Sequence, residues 1–206
     1  MEFDEEDYQA KTEPIYKIYH MNEAETKMND KIKSLQDFLL LNHDSVLLLL
    51  LYFNWNEDKL QQTWSDSKTN LKELSSRAGI PHTSVLIASS VCPICAEKLL
   101  ARLILPCGHQ ACINCVRGLI CSGSNSGKIV FDCWECSSKI TNTIIKTCLQ
   151  KQEYDKYRKA LMRSYTTESK VIRWCPNKKG CDYYAEFPDM VSQEISCYCG
   201  YNYCFK

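Results

Sequence analysis

The first 91 residues of this chain contain no cysteine, and all 14 of its cysteines fall between Cys92 and Cys204. Cysteines that merely fill a core do not segregate in this way. Two explanations remain: disulfides formed in an oxidising compartment, or metal held in a reducing one. The N-terminus, Met-Glu-Phe-Asp-Glu-Glu-Asp-Tyr, is acidic and lacks the positive and apolar regions of a secretory signal. The longest apolar run, Val46–Phe53, is far short of the roughly 20 residues that cross a bilayer. A cytosolic or nuclear location is therefore expected, with zinc rather than disulfides and no membrane partner.

Between and around the cysteines the pattern divides the chain into six segments. Residues 1–20, rich in acids at the start and without a sustained period, read as a disordered acidic tail. Residues 21–80 read as helical. Met28, Ile32, Leu35 and Leu39 form one apolar stripe, and Asn42-His43-Asp44-Ser45 interrupts it with capping residues. Val46–Phe53 then reads as a short buried helix, Asn56 as the cap of a third helix through Leu60 and Trp64, and Gly79 and Pro81 as the stop of a fourth. Residues 81–90 read as a linker, 91–140 as the first metal-bearing stretch, 141–170 as a helical connector and 171–206 as a second cysteine cluster. Net charge is formally zero, and the first cluster carries no basic stripe, so no nucleic-acid partner is expected.

The first cluster holds four ligand pairs in series: Cys92/Cys95, Cys107/His109, Cys112/Cys115 and Cys133/Cys136. A two-residue gap lets both thiolates of a knuckle reach one tetrahedral zinc, so four pairs make two sites. The spacing alone leaves the pairing open. Cys92/Cys95 could join Cys107/His109 sequentially, or Cys112/Cys115 across the intervening pair. Either way each ion has four protein donors and no open position, so it holds the fold and does not catalyse. His20, His43 and His82 read as surface or capping residues. In the second cluster, Cys175, Cys181, Cys197 and Cys199 suffice for one further closed site, and Cys204 is left over as part of an incomplete one.

The single His among the ligands, with pairs at these spacings, resembles the C3HC4 RING finger. That resemblance implies a cross-brace: Cys92, Cys95, Cys112 and Cys115 on one zinc, and Cys107, His109, Cys133 and Cys136 on the other. It also implies that Ile94, Leu119 and Trp134 form a shallow patch for a ubiquitin-conjugating enzyme (E2), with Leu119 and Trp134 equally able to pack the RING interior.

The connector carries Asp155-Lys156-Tyr157 and Arg163-Ser164-Tyr165, and Trp174-Cys175-Pro176 follows it. With these the chain resembles the RING-between-RING ligases, Ariadne branch. Phe53-Asn54-Trp55-Asn56 and Lys59-Leu60 are similar to the ubiquitin-associated-like (UBA-like) domain of that branch. The fold class implied is α+β, small and modular: a UBA-like helical bundle, a cross-brace RING and a partial in-between-RING (IBR) domain. The function implied is an E3 ubiquitin transferase that accepts ubiquitin from an E2 on the RING. Its further partners would be ubiquitin or a ubiquitin-like protein, and a cullin-RING ligase carrying such a modifier. Relatives pass ubiquitin through a catalytic cysteine in a later domain, and these 206 residues end inside the IBR segment, so no catalytic residue is expected among them. Ser137 and Val116 depart from the basic residue of single-step RING ligases and the Trp of Ariadne relatives. Cys121 and Cys148, the remaining thiols, lack the surroundings of a nucleophile. The competing expectation is a non-catalytic adaptor or decoy that captures the E2.

Overall fold

The computed structural model describes residues 15–66, 71–81, 90–98, 102–167, 169–188 and 194–204. The described residues fall into two compact units, one within 22–168 and the other made of 15–21 with 169–204.

The larger unit begins with α1 (Met21–Leu39), α2 (His43–Tyr52), α3 (Glu57–Asp66) and α4 (Leu71–Arg77). Met28, Ile32, Leu35 and Leu39 are all buried, so the stripe read from spacing is the inner face of α1. Val46 to Leu50 are buried on every side of α2, which makes it the central helix of the bundle. Among the described residues no single helix is long and apolar enough to cross a membrane; α1 and α2 reach that length only as a pair bent by 102°. Asn42 caps α2 by accepting from the Ser45 amide at 2.9 Å, and Asn56 caps α3 by accepting from Lys59 at 2.8 Å. After α4 the Ile80 amide returns to Ser75 O at 2.8 Å over Gly79, whose φ is +70°, the left-handed turn that ends a helix without Cβ strain. A Cβ at Gly79 would also meet Ser137 O at 2.9 Å, because the Lys139 amide donates to Gly79 O at 2.7 Å. The end of the helical segment thus lies against the end of the first cysteine cluster.

That cluster is built on β2 (Arg102–Ile104) antiparallel to β3 (Gln110–Cys112), followed by α5 (Ile113–Asn125). Val116 and Ile120 on α5 are fully buried, so the departure at position 116 is a core residue. Two further helices, α6 (Asn142–Cys148) and α7 (Lys151–Thr167), complete the unit. Arg117 on α5 makes a two-pronged ion pair with Glu153 on α7 at 2.8 and 2.9 Å, and Arg158 on α7 pairs with Glu25 on α1. Trp55 donates its indole N–H to Ser164 Oγ at 2.9 Å and packs edge-on against Tyr165. The expected connector is therefore the spine of this unit, holding the helical bundle and the cluster at once.

Asp44, in the first turn of α2, accepts from the Thr143 amide at the start of α6, at 3.3 and 3.4 Å to its two oxygens. Burial works against its charge, but bonds from His43, Thr143 and Thr141 outweigh it and hold the carboxyl below the usual range. Asp44→Ala is expected to cost about 1–2 kcal/mol, read from the urea midpoint. Because the folded-state pKa is depressed, that contribution is present at neutral pH and fades as pH falls through the carboxylate range. Wild type and variant should therefore converge in acid.

The smaller unit contains β1 (Lys17–His20), β4 (Ile172–Trp174), β5 (Tyr183–Glu186), β6 (Glu194–Ser196) and β7 (Asn202–Cys204). β1, β5 and β4 form an antiparallel sheet in that order, and β6 pairs with β7. Here the expectation of a disordered tail over residues 1–20 needs correction for 17–20; residues 1–14 lie outside the described residues, as do His82 and most of the expected linker. Tyr19 is a strand residue and Tyr16 immediately precedes the strand. Tyr16 packs on Phe187, Tyr19 stacks on Tyr184 at 5.6 Å, and His20 meets Tyr183 edge-on at 5.1 Å. Their partners lie at the other end of the sequence, so no short window could reveal the strand.

Candidate metal centres and docking face

Three of the cysteines open short hairpin turns closed by their own backbone. The Cys92 amide donates to Glu97 O at 2.8 Å, Cys133 to Ser138 O at 2.8 Å, and Cys197 to Tyr201 O at 3.0 Å, with Cys175 bonded instead to Tyr183 O at 3.1 Å. Ala96 and Gly200, in two of the turns, adopt φ of +60° and +80°. Such turns hold the side chains at x2 or x1 spacing on one side of the chain.

The turns bring together three sets of four donors: Cys92, Cys95, Cys112 and Cys115; Cys107, His109, Cys133 and Cys136; and Cys175, Cys181, Cys197 and Cys199. Within each set all donor atoms lie within 4.8 Å of one another. Cys95 and Cys112 sulfurs are 3.9 Å apart, Cys175 and Cys199 3.6 Å, and Cys181 and Cys197 3.7 Å. His109 Nδ1 is 3.5 Å from both Cys107 and Cys133 sulfurs. A tetrahedral zinc with ordinary bond lengths would separate two sulfurs by about 3.8 Å and a sulfur and a nitrogen by about 3.6 Å. A disulfide would need about 2 Å. The geometry alternates the pairs of the first cluster instead of joining them in series. The exposed Cys204 belongs to none of these sets.

The electrostatics of the sets call for a cation. Burial raises the Cys92 thiol, yet amides of Cys112, Cys95 and Ile94 bring it down to about 6. In the same set, hydrogen bonding to Cys112, then burial, pushes Cys115 far above the usual thiol range. Likewise Cys136 falls to about 7 while burial pushes Cys133 up to about 12. Asn177 draws Cys199 down to about 6 while burial raises Cys197. In each set one thiol is held low while Cys115, Cys133 or Cys197 in the same set is held high, a tension that positive charge among the sulfurs would relieve. Amide donors already point at the sulfurs, Cys112 N to Cys92 at 3.4 Å and Glu135 N to Cys133 at 3.5 Å, as support for ligands.

On the surface over these sets, Ile94 sits inside the first hairpin turn and is 44% exposed. Leu119 on α5 and Trp134 inside the Cys133 turn are half-buried. The Trp134 indole nitrogen is buried with no hydrogen-bond partner among the described residues. Sequence reasoning passed over Tyr198 and Tyr201, beside the third set, which are also exposed; only their position within and just after a ligand pair could have flagged them. Of the thiols outside the sets, Cys121 and Cys148 are poor nucleophiles by surroundings, since burial raises both.

Comparison with known proteins agrees with this layout. Residues 92–136 match the family described as zinc finger, C3HC4 type (RING finger), and residues 155–206 match the IBR domain, a half RING-finger domain. Both are zinc-binding domains, so zinc is the metal that these donor sets fit. The chain is 27% identical to a probable E3 ubiquitin-protein ligase, ARI10, of Arabidopsis thaliana, over 95% of this chain and 39% of that protein. It is 26% identical to the E3 ubiquitin-protein ligase dbl4 of Schizosaccharomyces pombe, over 92% of this chain and 40% of that protein. The chain thus spans about two-fifths of the length of these curated relatives.

Proposed function

Because the chain belongs to the RING-between-RING family, with Ariadne-type ligases as its relatives, we propose that it serves an E3 ubiquitin-protein ligase as the part that receives the charged E2. The observation that carries this reading is the alternation of the first two donor sets. Cys92, Cys95, Cys112 and Cys115 would hold one zinc and Cys107, His109, Cys133 and Cys136 a second, fixing the Ile94 turn as a rigid, exposed apolar point. Cys175, Cys181, Cys197 and Cys199 would hold a third. When bound, zinc supplies structural cross-links and no reaction step.

Ile94, Leu119 and Trp134 then form the E2 contact. A small apolar contact of this kind suits brief, repeated engagement by a carrier protein. Ile94→Ala should leave zinc content unchanged and weaken E2 binding at least about tenfold in a titration, a typical loss for a central interface residue. Unchanged affinity would show the patch to be misassigned. The helices over 21–80 act as a UBA-like module for ubiquitin or a ubiquitin-like protein, with a modified cullin-RING ligase as the larger partner; the helix count and the Phe53-Asn54-Trp55-Asn56 turn support this. A reducing compartment, cytosol or nucleus, suits a chain whose metal sets depend on free thiols.

A second reading, an adaptor or decoy that captures the E2 without transferring ubiquitin, is favoured by the surroundings of Cys121 and Cys148. Incubation with activating enzyme, E2 and ubiquitin separates the two. A reducible ubiquitin adduct on these 206 residues would show a nucleophile among them and remove the adaptor reading.

A further inference from the structure

Between α5 and α7, lined by none of the donor residues, lies a cavity of about 210 Å³. Cys121 and Ser124 on α5, Leu149, and Glu153, Lys156 and Tyr157 on α7 line it. Its polar groups are unevenly satisfied. Both Glu153 oxygens are taken by Arg117, and one also accepts from the Gln150 amide at 2.9 Å, so the only acid on the wall has no capacity for a ligand cation. The opposite holds for donors. Lys156 is exposed at the rim and has no ion pair among the described residues. Tyr157, only 2% exposed, makes ring contacts to Phe131 and Tyr154 and has no hydroxyl partner among the described residues. With Leu149 it supplies an apolar wall. The cavity therefore offers unmatched donors and a free cation beside an apolar surface, while its negative charge is already neutralised.

We propose that this cavity binds a small organic carboxylate, the acid group at Lys156 and the apolar body against Leu149 and the Tyr157 ring. The volume admits a molecule of roughly ten non-hydrogen atoms. Cys121 is a wall residue and serves as the reporter, since its thiol lies against the Glu153–Arg117 pair and would be covered by the ligand.

The test titrates the zinc-loaded chain with hexanoate, benzoate, phenylacetate and 3-phenylpropionate, each beside its primary amide, following chemical shifts on α5 and α7. Alkylation of Cys121 by iodoacetamide is followed in parallel by peptide mass. At least one acid should saturate the protein with a dissociation constant in the micromolar to millimolar range expected of a fragment. It should bind about tenfold more tightly than its amide, and should slow Cys121 alkylation severalfold. Lys156→Gln, a change at an exposed position, should remove most of the preference for acid over amide. The proposal is overturned if no acid saturates, if acid and amide bind alike, or if Lys156→Gln leaves the preference intact. Zinc content and E2 binding are read on the same samples, so failure here stays distinct from failure of the E2-docking reading.

Discussion

Metal analysis of the purified chain is expected to give three zinc ions per molecule, and a strong chelator is expected to unfold both cysteine-rich segments while leaving much of the helical signal. The reason lies in what each part has for a core. Around the third donor set the described buried hydrophobic residues are few, Tyr184, Ala185, Phe187 and Ile195 beside the cysteines, with Tyr16, Val171 and Tyr203 half-buried against them. A single structural zinc contributes about 10–16 kcal/mol of apparent binding free energy at neutral pH, comparable to the whole stability of an ordinary domain. Removing it leaves crowded thiols and three-residue strands with little to hold them. The bundle of α1 to α4 differs, because Ile32, Leu35, Val46, Leu49, Leu50 and Leu60 are essentially inaccessible to solvent. Chelation should therefore abolish hydrogen-exchange protection over residues 92–136 and 172–204 first, with the amides of α2 last. Fewer than three tightly held ions, or full protection after stripping, would refute the assignment.

The second large effect is expected from Trp55→Ala, at about 3–5 kcal/mol in urea unfolding. Trp55 is 7% exposed and bonds Ser164 on α7, so its loss opens a void and strands a partner. The backbone offers no compensation, since φ is +63° at Trp55 and +50° at Asn54, and alanine tolerates that region no better than tryptophan. Ser164→Ala alone should cost about 1 kcal/mol, and the double variant should be less destabilised than the sum of the two. Strict additivity would mean that the indole and the hydroxyl do not act together.

The helical half of the larger unit was readable from sequence because its signals are local. The stripe from Met28 to Leu39, the caps at Asn42 and Asn56 and the stop at Gly79 each depend on neighbours a few positions away. Metal ligation was readable for another reason: few residue types can bind zinc, and x2 spacing leaves few ways to use them. What escaped was long-range. The clamp of Asp44 on Thr143 and the bond from Trp55 to Ser164 join residues about a hundred positions apart, and nothing near either partner announces the other. The three-residue strands β2, β3, β6 and β7 are too short to show a period at all. At the proposed docking face, the resemblance put Ile94 on the surface, where it is exposed, but whether Leu119 and Trp134 face outward or inward depends on packing, and both end half-buried.

The edge strand at Lys17–His20 has a consequence for how the protein is made and cut. Its register partners, Tyr183 to Glu186, lie more than 160 positions later in the chain, so this strand must wait for all the intervening residues to be made before it finds its place in a sheet. A fragment begun at residue 22, at the obvious helical boundary, would present β5 with one naked margin and remove Tyr16 and Tyr19 from the aromatic stack. Such a fragment should be more prone to self-association than the intact chain, although every zinc-binding residue is still in it.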